Sequence, residues 1–160
     1  MTNHLARRVV AAAAARGKTI ATAESCTGGK IAASLTDVAG SSAVFGFGFV
    51  SYANVAKTMM LGVDENLIDT FGAVSEPVAR AMANGALSRA NSDVAIAVTG
   101  IAGPEGGSPE KPVGTVWFGI ARRGGETTTM MRRFPGDRAA IRHQSVGVAL
   151  ALLLEALDQP

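Results

Sequence analysis

The chain has 160 residues, 48% of them hydrophobic and only 5% aromatic, with a formal net charge of +2. That length suits one compact domain, residues 1–160, with a core built from Ala, Val, Ile, Leu and Met. The near-neutral balance offers no basic stripe for nucleic acid, and one cysteine and two histidines leave neither an internal disulfide nor an ordinary metal site.

In chain order, Thr2 or Asn3 opens a helix to about Arg16, closed by Gly17. Its short apolar run sits inside a helical pattern and does not read as an export signal, and the lone Cys26 fits a reducing compartment. Both point to the cytoplasm. "KTIATA" is β-branched, apolar and followed by turn chemistry, which predicts a buried strand. After "ESCTGG", Ile31, Ala32, Leu35 and Val38 have helical spacing. "AVFGFGFVSY" predicts a second strand, "NVAKTMML" a helix from about Asn54, and "DENLIDTFG" a short helix. "SEPVARAMANGALSRA" predicts a helix with Ser75 as cap and Pro77 in its first turn. "SDVAIAVTG" predicts a buried strand, "GIAGPEGGSPEKP" a long loop, "GTVWFGIARRG" and "ETTTMMRRF" a hairpin, and "GDRAAIRHQSVGVALALLLEAL" a terminal helix. Helices alternating with strands, followed by a hairpin, predict an α/β domain with a mixed sheet covered on both faces. No apolar run approaches the roughly 20 residues that span a bilayer, so no membrane partner is expected.

Four stretches carry candidate chemistry. "AESCTGGK" is not a phosphate-binding P-loop, because Glu24 stands where a glycine is required and Ile31 where a hydroxyl is required. Ser25, Cys26 and Thr27 then lie at the mouth of a helix, whose free N–H groups favour an anion or a developing oxyanion. Ser25 or Thr27 as a simple N-cap fits the same residues. In "SYANVAK", Asn54 as cap puts Lys57 in the first turn, where the helix dipole disfavours a cation. Desolvated there, Lys57 is a base for a serine hydroxyl; solvated, it is a surface lysine. "TGIAGPEGG" has the glycines and length of a ligand loop, with Thr99, Gly100 and Gly103 as its leading residues, but no helix follows as in a dinucleotide fingerprint. In "GDRAAIRHQ", Arg138 and Arg142 share a helix face, which suits a phosphate and suits a salt-bridged surface equally well. A pair of Cys26 with His143 is a minor thiol alternative.

Together "AESCTGG", "GSSAVFGFGFVSYANVAK", "GAVSEPVA", "TGIAGPEGGSPEKPVGTVWFG" and "FPGDRAAIRHQSV" closely resemble the C-terminal domain of the CinA family in its stand-alone form, from about Thr19 to about Leu154. The resemblance implies a three-layer α/β/α fold and a metal-independent amidase without cofactor. Its substrate would be nicotinamide mononucleotide, hydrolysed to nicotinate mononucleotide and ammonia in pyridine-nucleotide recycling. It implies Ser25 as nucleophile, Lys57 as base and Tyr52 as their companion. Thr27, Gly28 and Gly29 then shape the oxyanion and ligand pocket. Thr99, Gly100, Gly103, Arg138 and Arg142 are assigned to substrate on the physical reading above. A homo-oligomer acting on a small molecule is expected; a non-catalytic nucleotide-binding module is the alternative.

Overall fold

The computed structural model describes residues 2–160. Five strands form one sheet in the order β2-β1-β3-β4-β5: β1 Ile20–Glu24, β2 Phe45–Val50, β3 Val94–Gly100, β4 Thr115–Arg122 and β5 Thr128–Arg133. β1 runs parallel to both β2 and β3, whereas β4 and β5 are antiparallel additions. The helices are α1 Thr2–Arg16, α2 Lys30–Thr36, α3 Asn54–Leu61, α4 Glu65–Phe71, α5 Glu76–Ala90 and α6 Arg138–Asp158. The result is the expected α/β/α sandwich with a mixed sheet.

Alternation along the strands sorts the core into two layers. Ile20, Ile96, Val98 and Phe118 point to one face, against Val9 of α1, Ile31 of α2 and Leu150 of α6. Ala21, Ala23, Ala95, Ala97 and Ala121 point to the other, under Leu61 of α3, Ile68 of α4 and Met82 of α5. Large residues fill the first layer, and small ones let α5 lie close on the second. Gly119 of β4 is part of that fit, since a Cβ there would strike the carbonyl of Ala79. α6 is apolar and long enough to meet the composition of a membrane span, which the reading of apolar runs above did not anticipate. Its apolar residues, Ile141, Val146, Leu150 and Leu153 among them, are core residues against α1 and the sheet.

Several end signals work differently from their sequence reading. Helix α3 is capped at Ala53 rather than Asn54, with no side-chain bond. Ser75 is the N-cap of α5, but its hydroxyl donates to the Gly72 carbonyl instead of capping. Asp137 does cap α6, accepting from Ala140 N at 2.9 Å.

The topology places a crevice. The chain leaves β1, goes to β2 on one side, and then returns to β3 on the other, so connections diverge at the carboxyl ends of β1 and β3. In open α/β sheets a ligand site lies at such a switch point. Ser25 follows β1 directly, and Thr99 and Gly100 close β3.

Candidate active site

At the end of β1 the backbone is still paired: Ser25 N donates to Val98 O at 2.9 Å, and Ser51 N donates to Glu24 O at 2.8 Å. The chain then reverses through Gly28 and Gly29, whose φ angles of 59° and 100° lie in the left-handed region that glycine tolerates. Neither Ser25 nor Thr27 caps α2; Gly29 holds that position without a side-chain bond. The buried carboxylate of Glu24 does the capping, accepting from Ile31 N at 2.9 Å and Ala32 N at 3.0 Å. The first-turn amides expected to hold an anion are thus occupied by the protein itself, and Gly28 N is turned back onto Ser25 O. Cys26 N bonds no carbonyl of another residue among the described residues, its own thiol sulfur being the acceptor beside it.

Lys57 is 1% exposed, a burial that lysines seldom adopt without a carboxylate partner. Its Nζ lies 3.0 Å from Ser25 Oγ, 3.0 Å from the Ser51 carbonyl and 3.2 Å from the Tyr52 carbonyl. No ion pair compensates it among the described residues. Burial lowers its pKa below the usual lysine range, opposed only by the nearby Cys26 sulfur. That opposition requires a thiolate, and burial pushes the Cys26 thiol up to about 12, so near neutrality it is absent. A neutral amine has two N–H groups and one lone pair. The three oxygens would accept all three N–H groups of an ammonium; in the neutral amine, which burial favours, two N–H groups serve the carbonyls and the lone pair faces the Ser25 hydroxyl.

Around this pair opens a pocket of about 270 Å³. Ser25, Cys26 and Lys57 form its floor, Tyr52 and Asn54 one wall, Thr99 to Gly103 the opposite wall, and Arg138 part of its rim. Thr99 Oγ1 donates to the Ala73 carbonyl at 2.9 Å, tying β3 to the segment before α5. At Gly100 a Cβ would come within 2.7 Å of Val116 Cγ2 and 3.1 Å of Cys26 Sγ, so only glycine lets the two strand ends close. Gly103, at φ 76°, lies against Val113. Arg138 donates to Gly103 O at 2.9 Å and to the Tyr52 hydroxyl at 3.1 Å, bridging the two walls.

Ser25, Lys57, Tyr52, Thr99, Gly100, Gly103 and Arg138 therefore converge on one pocket, while Thr27, Gly28, Gly29 and Arg142 do not line it. Arg142 Nε donates to Cys26 O at 2.9 Å and NH2 to Thr27 O at 3.3 Å, so the residue expected on a phosphate here holds the turn after Ser25 instead of lining the pocket. Tyr52 meets Lys57 through its carbonyl, and its hydroxyl, engaged with Arg138, bonds neither Lys57 nor Ser25. His143 lies in a separate groove with Phe134 and Val148, so the Cys26–His143 pairing falls away. Two participants had escaped the sequence reading: Glu24, noted only as a break in a phosphate loop, and Ser51, which acts through its carbonyl. Among the described residues no group of three or more His, Cys, Asp or Glu side chains could share a metal ion.

A buried serine–lysine pair at the switch point of a mixed α/β sheet defines the class of site. Residues 2–157 match the CinA C-terminal domain, and the chain belongs to that family. It is 54% identical over 155 residues to the nicotinamide-nucleotide amidohydrolase PncC of Escherichia coli, covering 97% of this chain and 94% of that one. It is 59% identical to a CinA-like protein of Akkermansia muciniphila over 95% of this chain, but only 37% of that relative is spanned. Two further CinA-like relatives, from Mycolicibacterium species, are spanned to 33% and 35%. Among solved structures, the competence/damage inducible protein CihA from Agrobacterium tumefaciens superposes with a TM-score of 0.94 at 50% identity, over 99% of this chain and 96% of that one.

Proposed function

We propose that this chain is an amidohydrolase that converts nicotinamide mononucleotide to nicotinate mononucleotide and ammonia, with Ser25 as nucleophile and Lys57 as base. The observation that carries the reading is the 3.0 Å contact between a buried, carboxylate-free lysine and a serine hydroxyl on the floor of a pocket. The amidohydrolase name of the Escherichia coli relative supports the substrate.

Neutral Lys57 takes the Ser25 proton as Oγ bonds to the carboxamide carbon, and the carbonyl π pair moves onto oxygen. The Cys26 amide, which bonds no other residue's carbonyl, is the donor at hand for that oxyanion; losing one such donor typically costs about 3 kcal/mol of barrier. The oxyanion collapses, the C–N bond breaks, and Lys57 returns its proton to the leaving nitrogen as ammonia. Water then attacks the ester, giving its proton to Lys57; the C–Oγ bond breaks, and Ser25 recovers the proton. The charged pyridinium of the substrate withdraws electrons from its own carboxamide, which eases the attack. Arg138 and the loop from Ala102 to Gly106 offer donors for the phosphate. Tyr52 contributes as wall and lysine anchor, so no proton passes through its hydroxyl. Exposed Phe47, Val50, Val55 and Met59 along β2 and α3 favour a homo-oligomer.

The test is ammonia release from the purified chain. Ser25→Ala should abolish release while retaining mononucleotide binding, and Cys26→Ala should keep most of it, because a thiol held near pKa 12 is not a nucleophile. The reverse pattern would assign the chemistry to the thiol.

A further inference from the structure

Glu24 is fully buried, forms no salt bridge among the described residues, and does not line the pocket. A carboxylate in such a place is costly unless its lone pairs are used. Both oxygens are used, one on Ile31 N and the other on Ala32 N. The strand pleat sends this side chain to the α2 face, while Ser25 turns to the α3 face where Lys57 sits. The two side chains thus leave the end of β1 on opposite sides, and among the described residues no hydrogen bond or ion pair joins Glu24 to Lys57.

The main chain of the same residue points the other way. Glu24 O accepts from Ser51 N at 2.8 Å, and Ser51 O in turn holds Lys57 Nζ at 3.0 Å. One residue therefore grips the helix that closes the nucleophile turn with its side chain, and the support of the base with its carbonyl. Ser25 lies between these two anchors, and Arg142 braces the far side of the turn.

We propose that Glu24 is the positioning residue of the Ser25–Lys57 pair: by capping α2 from the end of β1 it sets the turn so that Ser25 Oγ stays in hydrogen-bond reach of Lys57 Nζ. This rests on the serine–lysine chemistry proposed above. Substituting glutamine removes one acceptor, because an amide NH2 group then faces a backbone N–H. Substituting aspartate keeps the charge but withdraws the carboxylate by one methylene, out of reach of both amides together.

The experiment uses the full chain as wild type, Glu24→Gln and Glu24→Asp. The readouts are the rate of Ser25 phosphonylation by a small fluorophosphonate without nucleotide, kcat and KM for nicotinamide mononucleotide, and the thermal midpoint. In folded Glu24→Gln and Glu24→Asp, labelling rate and kcat should both fall about 100-fold, the scale of a roughly 1 Å misplacement, with KM within about twofold. The acid-limb pKa of kcat/KM should stay close to that of the wild type, since the burial that lowers it and the Ser51 and Tyr52 carbonyls on Lys57 are retained even where the Ser25 contact is lost. Labelling within about threefold of wild type in folded Glu24→Gln, or full recovery in Glu24→Asp, overturns the proposal. If neither variant folds, amide hydrogen exchange in the wild type decides: slow exchange at Ile31 and Ala32 supports the cap, and exchange at unstructured rates overturns it. A wild type that labels at Ser25 yet releases no ammonia refutes the nucleotide reading and leaves the positioning test intact.

Discussion

Lys57 gives the sharpest test, because its proposed role as base demands an unusual protonation state and its buried surroundings favour one. An ordinary lysine, with a pKa near ~10.4, is almost wholly charged at neutral pH. Here burial lowers the value, with carbonyls and a hydroxyl as the only partners. Two consequences follow in different assays. In kinetics, kcat/KM should fall on the acid side as pH drops through the lowered lysine value, and Lys57→Arg should be nearly inactive although charge is preserved, since guanidinium does not deprotonate. General-base loss typically costs ~10²–10⁴-fold, or roughly 3–5 kcal/mol of barrier. In stability, the folded-state pKa lies below the unfolded one, so the unfolded chain binds the extra proton between them. Above the unfolded value no penalty exists. As pH falls toward the folded value, the wild type loses about 1.4 kcal/mol per unit, and below it the loss is constant. Lys57→Met lacks this linkage but leaves the Ser51 and Tyr52 carbonyls unpaired, at about 1–3 kcal/mol each. Absolute stabilities therefore mix two effects, and the informative quantity is the difference between the two denaturation curves as a function of pH. That difference should move in favour of Lys57→Met as pH falls through the window. A flat difference across alkaline to neutral pH, or a Lys57→Arg enzyme keeping more than about a tenth of wild-type kcat, a loss under ~1.4 kcal/mol, would refute the reasoning.

The two arginines should separate kinetically. Arg138→Ala should raise KM for the mononucleotide much more than for the riboside lacking phosphate, whereas Arg142→Ala should lower kcat for both alike, since it braces the nucleophile turn rather than the ligand. Equal effects of Arg138→Ala on the two substrates would remove it from the phosphate. Gly100→Ala forces a Cβ within 2.7 Å of Val116 and 3.1 Å of the Cys26 sulfur, so it should lower kcat through displacement of the Cys26 amide and destabilise the fold by about 1–3 kcal/mol; chemical denaturation and steady-state assays measure both.

Much of the fold was already written locally. β-branched runs such as "KTIATA" and "SDVAIAVTG", the glycine after α1, and Asp64 and Asp137 ahead of their helices act within a few residues, so pattern and capping chemistry suffice to read them. The motif resemblance singled out Ser25, Tyr52 and Lys57, and the pocket contains all three. Composition could not decide whether Lys57 was solvated, because its burial depends on α3 packing on α5 and α4 so that Nζ reaches Ser25 at the end of β1. Nor could it show which amides remain free at the turn after Ser25: that depends on a Glu24 carboxylate reaching across to α2. Arg142 shares a helix face with Arg138 by spacing, yet it bonds carbonyls more than 110 residues earlier in the chain, whereas Arg138 reaches the pocket rim. Local periodicity sets which residues share an element, but hydrogen-bond partners and desolvation are properties of packed neighbours, and only the assembled sheet and helices determine those.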